Sequence, residues 1–319
     1  MLFRSIVLVF ALVGFCRVNA AYPDRPIRLI APFAPGGNID ITARTVSPGL
    51  TEQLGQPVVV ENRGGAGGRI GTELVAKSLP DGYTLLLGSS GSLTVNPSFS
   101  TTTSYDPIKD FAPTSLVSIV PLVLVVHPSM PVKTAREFID LAKKKPNSVM
   151  MASAGSGSNT HLTGELFQIT VGIKLTHVPY KGSGPALVDL LGGQTHCIFD
   201  QVSTSASYVN MGKLRALAVA SNKRSQSLSS IPTMEQAGVK GFEAATYTGI
   251  FLPAGTSKEI VNRIYSALLR VLELPSTRDA FNRLGAEVVS STPEELSLKL
   301  SQDLMKWRKV QLQTGIRLN

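Results

Sequence analysis

The chain has 319 residues, 43 % of them hydrophobic and 17 % charged, with a formal net charge of +9 and two cysteines. That apolar content over that length supports a buried core and favours two lobes over one. The basic residues are scattered, and the densest run, Lys143-Lys144-Lys145, closes a helical segment where cations suit the dipole. With no interleaved aromatics it reads as a solvated face, so no nucleic-acid partner is expected.

In chain order the first twenty residues stand apart. Arg4 precedes an apolar run from Ile6 to Cys16, and Val18-Asn19-Ala20 supplies small residues before Ala21. This is the pattern of a secretory signal peptide over 1–20, too short to span a bilayer. Phe15 before Cys16 argues against a lipid anchor. Removing the leader lowers the formal charge to +7 and leaves Cys197 alone, so no intrachain disulfide is expected. A soluble exported protein is expected, and with no later apolar stretch long enough to cross a bilayer, any transport role needs a membrane partner.

Short apolar, β-branched runs then alternate with helical segments. Strands are predicted at Ile27 to Ala31, Val58 to Glu61, Thr84 to Gly88, Leu122 to Val126, Val149 to Ala152, Leu175 to Val178, Cys197 to Phe199, Leu214 to Ala220 and Gly249 to Leu252. Several are apolar almost throughout, as strands covered on both faces are. Pro48 interrupts the first helical segment and predicts a kink or early stop there. Helix starts are predicted at the capping boxes Thr134-x-x-Glu137, Thr256-x-x-Glu259 and Thr292-Pro293-x-Glu295. The pattern is α/β with mostly parallel strands. No flexible linker divides the chain, so it crosses between lobes more than once, through 121–128 and 246–253 by their apolar runs ending in proline.

Common catalytic signatures are missing. The sequence has no G-x-S-x-G, H-E-x-x-H or paired C-x-x-C pattern, and Gly212-Lys213 lacks the rest of a phosphate loop. "GGAGGRIG" (64–71) matches a dinucleotide loop too weakly and suits a turn or tight packing. Ser158, His161 and Asp200 can be written as a hydrolase triad, but no nucleophile elbow surrounds them. Neither a cofactor, a metal nor a catalytic group is expected.

What remains is a pair of loops. "APFAPGGNID" (31–40) and "ASAGSGSNTH" (152–161) each run from an apolar strand through a glycine turn into a helix start, one on each side of the first crossing. Such a turn presents backbone N–H groups and the positive end of a helix to an anion. The loops hold no Lys or Arg, so main-chain donors and the hydroxyls of Ser156, Ser158 and Thr160 would grip a carboxylate, directly or through water. Asp40 suits capping or accepting from a ligand amine or hydroxyl.

The chain resembles the tripartite tricarboxylate transporter substrate-receptor family, the Bug receptors, over nearly all its length beyond the leader. Seven ordered motifs carry the resemblance: "YPDRPIRLIAPFAPGGNID", "VVVENRGGAGGRIGTELVAKSLPDGYTLLLGS", "YDPIKDFAPTSLV", "SAGSGSNTHLTGELF", "VPYKGSGPALVDLLGGQTHCIFD", "IPTMEQAGVKGF" and "TPEELSLKLSQDLMKW". It implies a two-lobed periplasmic binding protein of the type II Venus-flytrap kind, each lobe a mainly parallel sheet flanked by helices, with two hinge crossings. Expected lobes are 21–123 with 249–319, and 124–248. The implied ligand is a small carboxylate, such as an amino acid, a di- or tricarboxylate or an aromatic acid, held through ordered waters and passed to a membrane permease. By motif, the first lobe contributes Phe33, Ala34, Gly36, Gly37, Asn38 and Asp40, with Ser89 and Ser92. The second contributes Ala154, Gly155, Ser156, Ser158, Thr160 and His161, with Tyr180, Lys181, Gly182 and Asp200. Ala34 stands where the family often has proline, and Tyr247 where it commonly has tryptophan. A monomer is expected; the alternatives are a ligand sensor for a sensor kinase and a secreted hydrolase using Ser158 and His161.

Overall fold

The computed structural model describes residues 22–101 and 103–316; the signal peptide expected over 1–20 lies outside the described residues. The first half runs β1 (Ile27–Ala31), α1 (Asn38–Leu54), β2 (Val58–Asn62), α2 (Arg69–Ala76), β3 (Thr84–Ser89), a π-helical turn (Gly91–Val95), α3 (Asn96–Phe99) and β4 (Phe111–Val126). Then come α4 (Ala135–Lys144), β5 (Met150–Ser153), α5 (Asn159–Val171), β6 (Thr176–Pro179), α6 (Ser183–Leu191), β7 (Cys197–Gln201), α7 (Val202–Asn210) and β8 (Arg215–Val219). The chain closes with β9 (Ala245–Pro253), α8 (Lys258–Glu273), α9 (Pro275–Arg283), β10 (Glu287–Val288) and α10 (Pro293–Thr314).

Each lobe is built on a parallel triplet, β2-β1-β3 in one and β7-β5-β6 in the other. The long strand β4 joins them. Its residues Phe111 to Pro121 pair antiparallel with β9, which in turn pairs antiparallel with β3. Leu122 to Val126 then pair antiparallel with β7 on one edge, while Val123 to Val126 pair with β8 on the other. The chain therefore passes between lobes at Pro121–Leu122. It returns beside that point, where the Leu122 N–H donates to the Ala244 carbonyl and the Ala244 N–H to the Ala220 carbonyl. One buried apolar cluster gathers Leu124, Phe138, Phe167 and Phe199 in the second lobe, with Phe167 and Phe199 ring centroids 5.0 Å apart.

Three local expectations change. The strand predicted from Leu122 begins eleven residues earlier, at Phe111. Pro113 and Pro121 lie within it and its register shifts twice against β9, so neither alternation nor strand propensity marks that half. Helix α1 does not stop at Pro48 but continues to Leu54, where Gly55 ends it in the left-handed conformation. Its buried stripe, Ala43, Val46, Leu50 and Leu54, offsets the missing N–H, and Gly49 lets Val271 of α8 approach closely. At α8 the N-cap is Ser257, whose hydroxyl accepts from the Ile260 N–H, while the Thr256 hydroxyl donates to the Pro253 carbonyl. Thr134 and Thr292 cap α4 and α10, the latter with the complete reciprocal box.

Candidate functional site

Between the lobes lies a small cavity lined by Phe33, Gly37, Asn38, Ile39, Ser89, Gly91, Ala154, Ser158, Asn159, Thr160, Ser183, Gln201 and Thr246. It leaves about 20 Å³ in which a water centre can sit, little more than one water requires. The lining contains no Asp, Glu, Lys, Arg or His. Four α-helices begin at its wall. Gly37 is the N-cap of α1, Ser158 that of α5 and Gln201 that of α7, while Ser183 is the first residue of α6. The leading N–H groups of a helix have no acceptor within it, and each N-terminus carries roughly half a positive charge. The cavity is therefore positive without containing a cation.

Side chains sharpen that field. Asn38 is 3 % exposed; its Oδ1 accepts from the Ser203 hydroxyl at 2.7 Å, and its Nδ2 is a buried donor with no acceptor. A buried amide donor left unpaired costs about 1–3 kcal/mol, so a ligand acceptor placed there recovers it. In the opposing loop the Ser158 hydroxyl takes the His161 N–H and lies 2.9 Å from the Thr160 hydroxyl, which accepts from the Ala154 N–H. Asn159 Nδ2 and Gln201 Nε2 both donate to the Thr246 hydroxyl, at 2.8 and 3.1 Å, and tie the second-lobe helices to strand β9.

The lobes touch around this cavity through backbone. The Ala34 N–H donates to the Lys181 carbonyl at 2.9 Å, and a Cβ on Gly182 would sit 2.8 Å from the Ala34 nitrogen. A Cβ on Gly184 would overlap the Pro35 carbonyl oxygen, and one on Gly67 the Ser156 carbonyl oxygen. Of the glycines of 64–71, Gly64 and Gly67 thus serve close packing of one lobe on the other, while Gly68 and Gly71 pack against Phe33, Ser92 and Pro32 of their own lobe.

Of the residues predicted from sequence, Phe33, Gly37, Asn38, Ser89, Ala154, Ser158 and Thr160 line the cavity. Ala34, Gly36, Gly155, Ser156, Lys181 and Gly182 lie at or beside the lobe contact; the Lys181 side chain is exposed, and its carbonyl makes the contact. Ser92 stands behind Ser89, hydroxyl to hydroxyl at 3.4 Å. Asp40 is turned inward, its oxygens taken by the Gly36 N–H and the Arg44 guanidinium, so it caps its own loop. Tyr180 donates to Asp189, and burial together with that carboxylate pushes its hydroxyl up to about 12. Asp200 is wholly buried among the Thr204 and Ser205 hydroxyls, and burial raises its pKa. No triad forms: His161 Nδ1 accepts from the Gly157 N–H, its Nε2 faces Glu165 at 3.6 Å, and its ring stacks on His177.

Ile39, Gly91, Asn159, Ser183, Gln201 and Thr246 also line the cavity and were not singled out from sequence. Asn159 and Ile39 sit inside the two recognised loops, and Ser183 and Gln201 adjoin Gly182 and Asp200. Thr246 carried a signal only as part of a crossing strand. Its neighbour Tyr247 is buried on the other face of β9, beneath the Lys299 ammonium 4.5 Å from its ring. Among the described residues no group of three potential ligands could hold a metal, and no helix is long and apolar enough to cross a membrane.

With the geometry in view, comparison with known proteins is specific. Residues 42–315 match the family described as "Tripartite tricarboxylate transporter family receptor". The protein BugT of Bordetella pertussis is 40 % identical over 298 residues, 93 % of this chain and 91 % of that one. A Rhodopseudomonas palustris protein solved with adipate superposes with a TM-score of 0.89 at 35 % identity, covering 93 % of this chain and 99 % of the other. MatC of the same species, solved with bound malate, gives 0.88 at 32 % identity over 91 % and 99 %.

Proposed function

The chain belongs to the tripartite tricarboxylate transporter receptor family, and from that membership we propose that it is a periplasmic receptor closing on a small carboxylate. It is a solute receptor rather than an enzyme. In this reading the leader exports the chain, which works as a monomer, and the liganded form is presented to the membrane permease of a tripartite tricarboxylate-type transporter. The lobes divide at the adjacent crossings Pro121–Leu122 and Ala244–Ala245, a few residues before the expected bounds of 21–123 with 249–319 and 124–248, and move about them.

The observation that carries the reading is the unpaired Asn38 Nδ2 in a cation-free cavity ringed by four helix N-termini. A carboxylate oxygen is the acceptor such an arrangement lacks. Preorganised main-chain dipoles in a desolvated cleft give an anion strong, directional binding without a lysine or arginine. Two relatives of similar fold were solved with carboxylates, adipate and malate, which supports the same ligand class here. The space between the touching lobes is too small for such an acid, so the ligand enters while they are apart and the lobes close on it less tightly than they stand here.

The test is to identify the ligand carried through purification by mass spectrometry, then to run a thermal-shift panel of carboxylic acids on the stripped protein. A co-purifying acid, and an upward shift with at least one acid of the panel, are expected. No shift with any acid would overturn the reading.

A further inference from the structure

We propose that the C-terminal half of α10 is a docking face for an anionic phospholipid surface, which holds the receptor loosely at the membrane carrying its transporter. The transporter enters from the proposed function; the face stands whatever the cleft holds.

Helix α10 is fastened to the first lobe by Leu296, Leu300 and Leu304, all buried. Its opposite side should then be polar. Instead Leu298, Met305 and Leu312 stand there, 59, 63 and 80 % exposed. Steps of seven residues place the three in one line along the helix, roughly 21 Å from end to end. Single exposed apolar side chains are ordinary. Among the described residues, however, no other helix or strand carries more than one of the large ones. Ile108, also exposed, stands across a shallow groove whose walls it shares with Met305 and Arg308.

Cations accompany the line. Arg308 and Lys309, three and four residues beyond Met305, flank it on either side, with Lys306 further round the helix. None of the three makes an ion pair among the described residues. Nearby acids are engaged elsewhere. Glu294 and Glu295 are confined to the first turn, where Glu295 closes the capping box, and Asp303 pairs with Lys299 at 3.3 Å. Across the groove, Asp106 accepts from the Ile108 and Lys109 N–H groups, and Asp110 from the Asp106 N–H. Cations near a helix C-terminus suit its dipole, which accounts for the charge but not for the exposed apolar line between them.

An apolar line bordered by cations is the pattern of a helix lying on a bilayer. Its apolar side chains enter the headgroup boundary while ammonium and guanidinium groups meet phosphates. A straight ridge with cations along both sides matches an extended anionic layer, whereas an acidic peptide segment would satisfy one side of it. The run Lys143-Lys144-Lys145 at the end of α4 supplies the contrast. It is exposed and equally basic, but α4 exposes no large apolar side chain.

Co-sedimentation of the chain, without its leader, with lipid vesicles tests the proposal. Binding is expected to vesicles of phosphatidylglycerol and phosphatidylcholine in equal parts at about 0.1 M salt, weakening toward about 1 M as the Debye length falls to about 3 Å. Vesicles of phosphatidylcholine alone should bind at least about 100-fold more weakly. Lys306→Glu combined with Arg308→Glu and Lys309→Glu should cost at least as much, about 100-fold. Met305→Ser with Leu312→Ser should cost at least about tenfold. Lys143→Glu with Lys144→Glu and Lys145→Glu, the same change of charge elsewhere, should stay within about threefold, since charges beyond a Debye length are screened. Thermal midpoints record the folding of each variant. Absence of binding to the phosphatidylglycerol vesicles would overturn the proposal and leave the face to an acidic polypeptide. Equal binding to both kinds of vesicle would overturn it too, as would an α4 variant that loses as much as the α10 variant. The comparison of lipids on the unaltered chain stands whether or not the variants fold.

Discussion

At the scale of single residues, the glycine loop 152–161 rests on a histidine pair. The Ser153 hydroxyl lies 2.6 Å from His177 Nε2 and accepts from the Gly155 N–H, while His161, stacked at 3.7 Å between ring centroids, accepts the Gly157 N–H. Burial, then the neighbouring His161, lowers the His177 pKa to about 4, with Glu165 opposing. The unfolded chain therefore binds this proton below about pH 6.5, where the folded protein does not. Stability is retained above that pH and lost as pH falls toward 4, by up to about 3 kcal/mol. Chemical denaturation from pH 7.5 to 4.5 should show this decline, and His177→Asn should flatten it. An equally steep decline in the variant would assign it to other groups. This pair was not legible in the sequence, because His161 and His177 meet only when α5 packs beside β6.

At the scale of elements, parallel strands and helix starts were readable because each carries its own local cause. Strand β1 ends where predicted, since an apolar run meets Pro32. Helix α10 begins where predicted, since Thr292, Pro293 and Glu295 satisfy its first turn between them. The first half of β4 was not readable, because two register shifts and two prolines erase its alternation and pairing with β9, and with β10 at Ser118 and Ile119, makes it a strand. The site divides in the same way. Asn38, Ser158 and Thr160 announce themselves within strand–glycine–helix motifs, whereas Gln201 and Thr246 reach the cavity only through tertiary arrangement. The contact between the first loop and α6 yields a prediction at this scale. Gly184 has an ordinary helical backbone, so alanine fits the helix, yet its methyl would strike the Pro35 carbonyl when the lobes meet. Gly184→Ala should leave the unliganded thermal midpoint within about 2 °C and weaken ligand binding at least about tenfold. Unchanged affinity would show that this contact is not needed for capture.

At the scale of the whole molecule, the design is two parallel triplets joined through one long strand, β4, the first by way of β9 and the second directly, with the return crossing beside it. In the function proposed above, the lobes would meet over a ligand by backbone adjustment at the two crossings, which lie side by side at Leu122 and Ala244. The topology also explains why the ligand-facing surface is made of helix N-termini. In an open α/β sheet they cluster at the carboxyl ends of the strands, and here two such edges face each other. In the proposed function, backbone and amide donors, not cations, hold the ligand between the lobes. A crystal structure of the protein with the acid it binds most tightly tests this directly. A carboxylate oxygen is expected within about 3 Å of Asn38 Nδ2, with the other donors drawn from the leading N–H groups of α1 and α5. A ligand carboxylate held by the Lys181 ammonium, or seated outside the cleft, would contradict it.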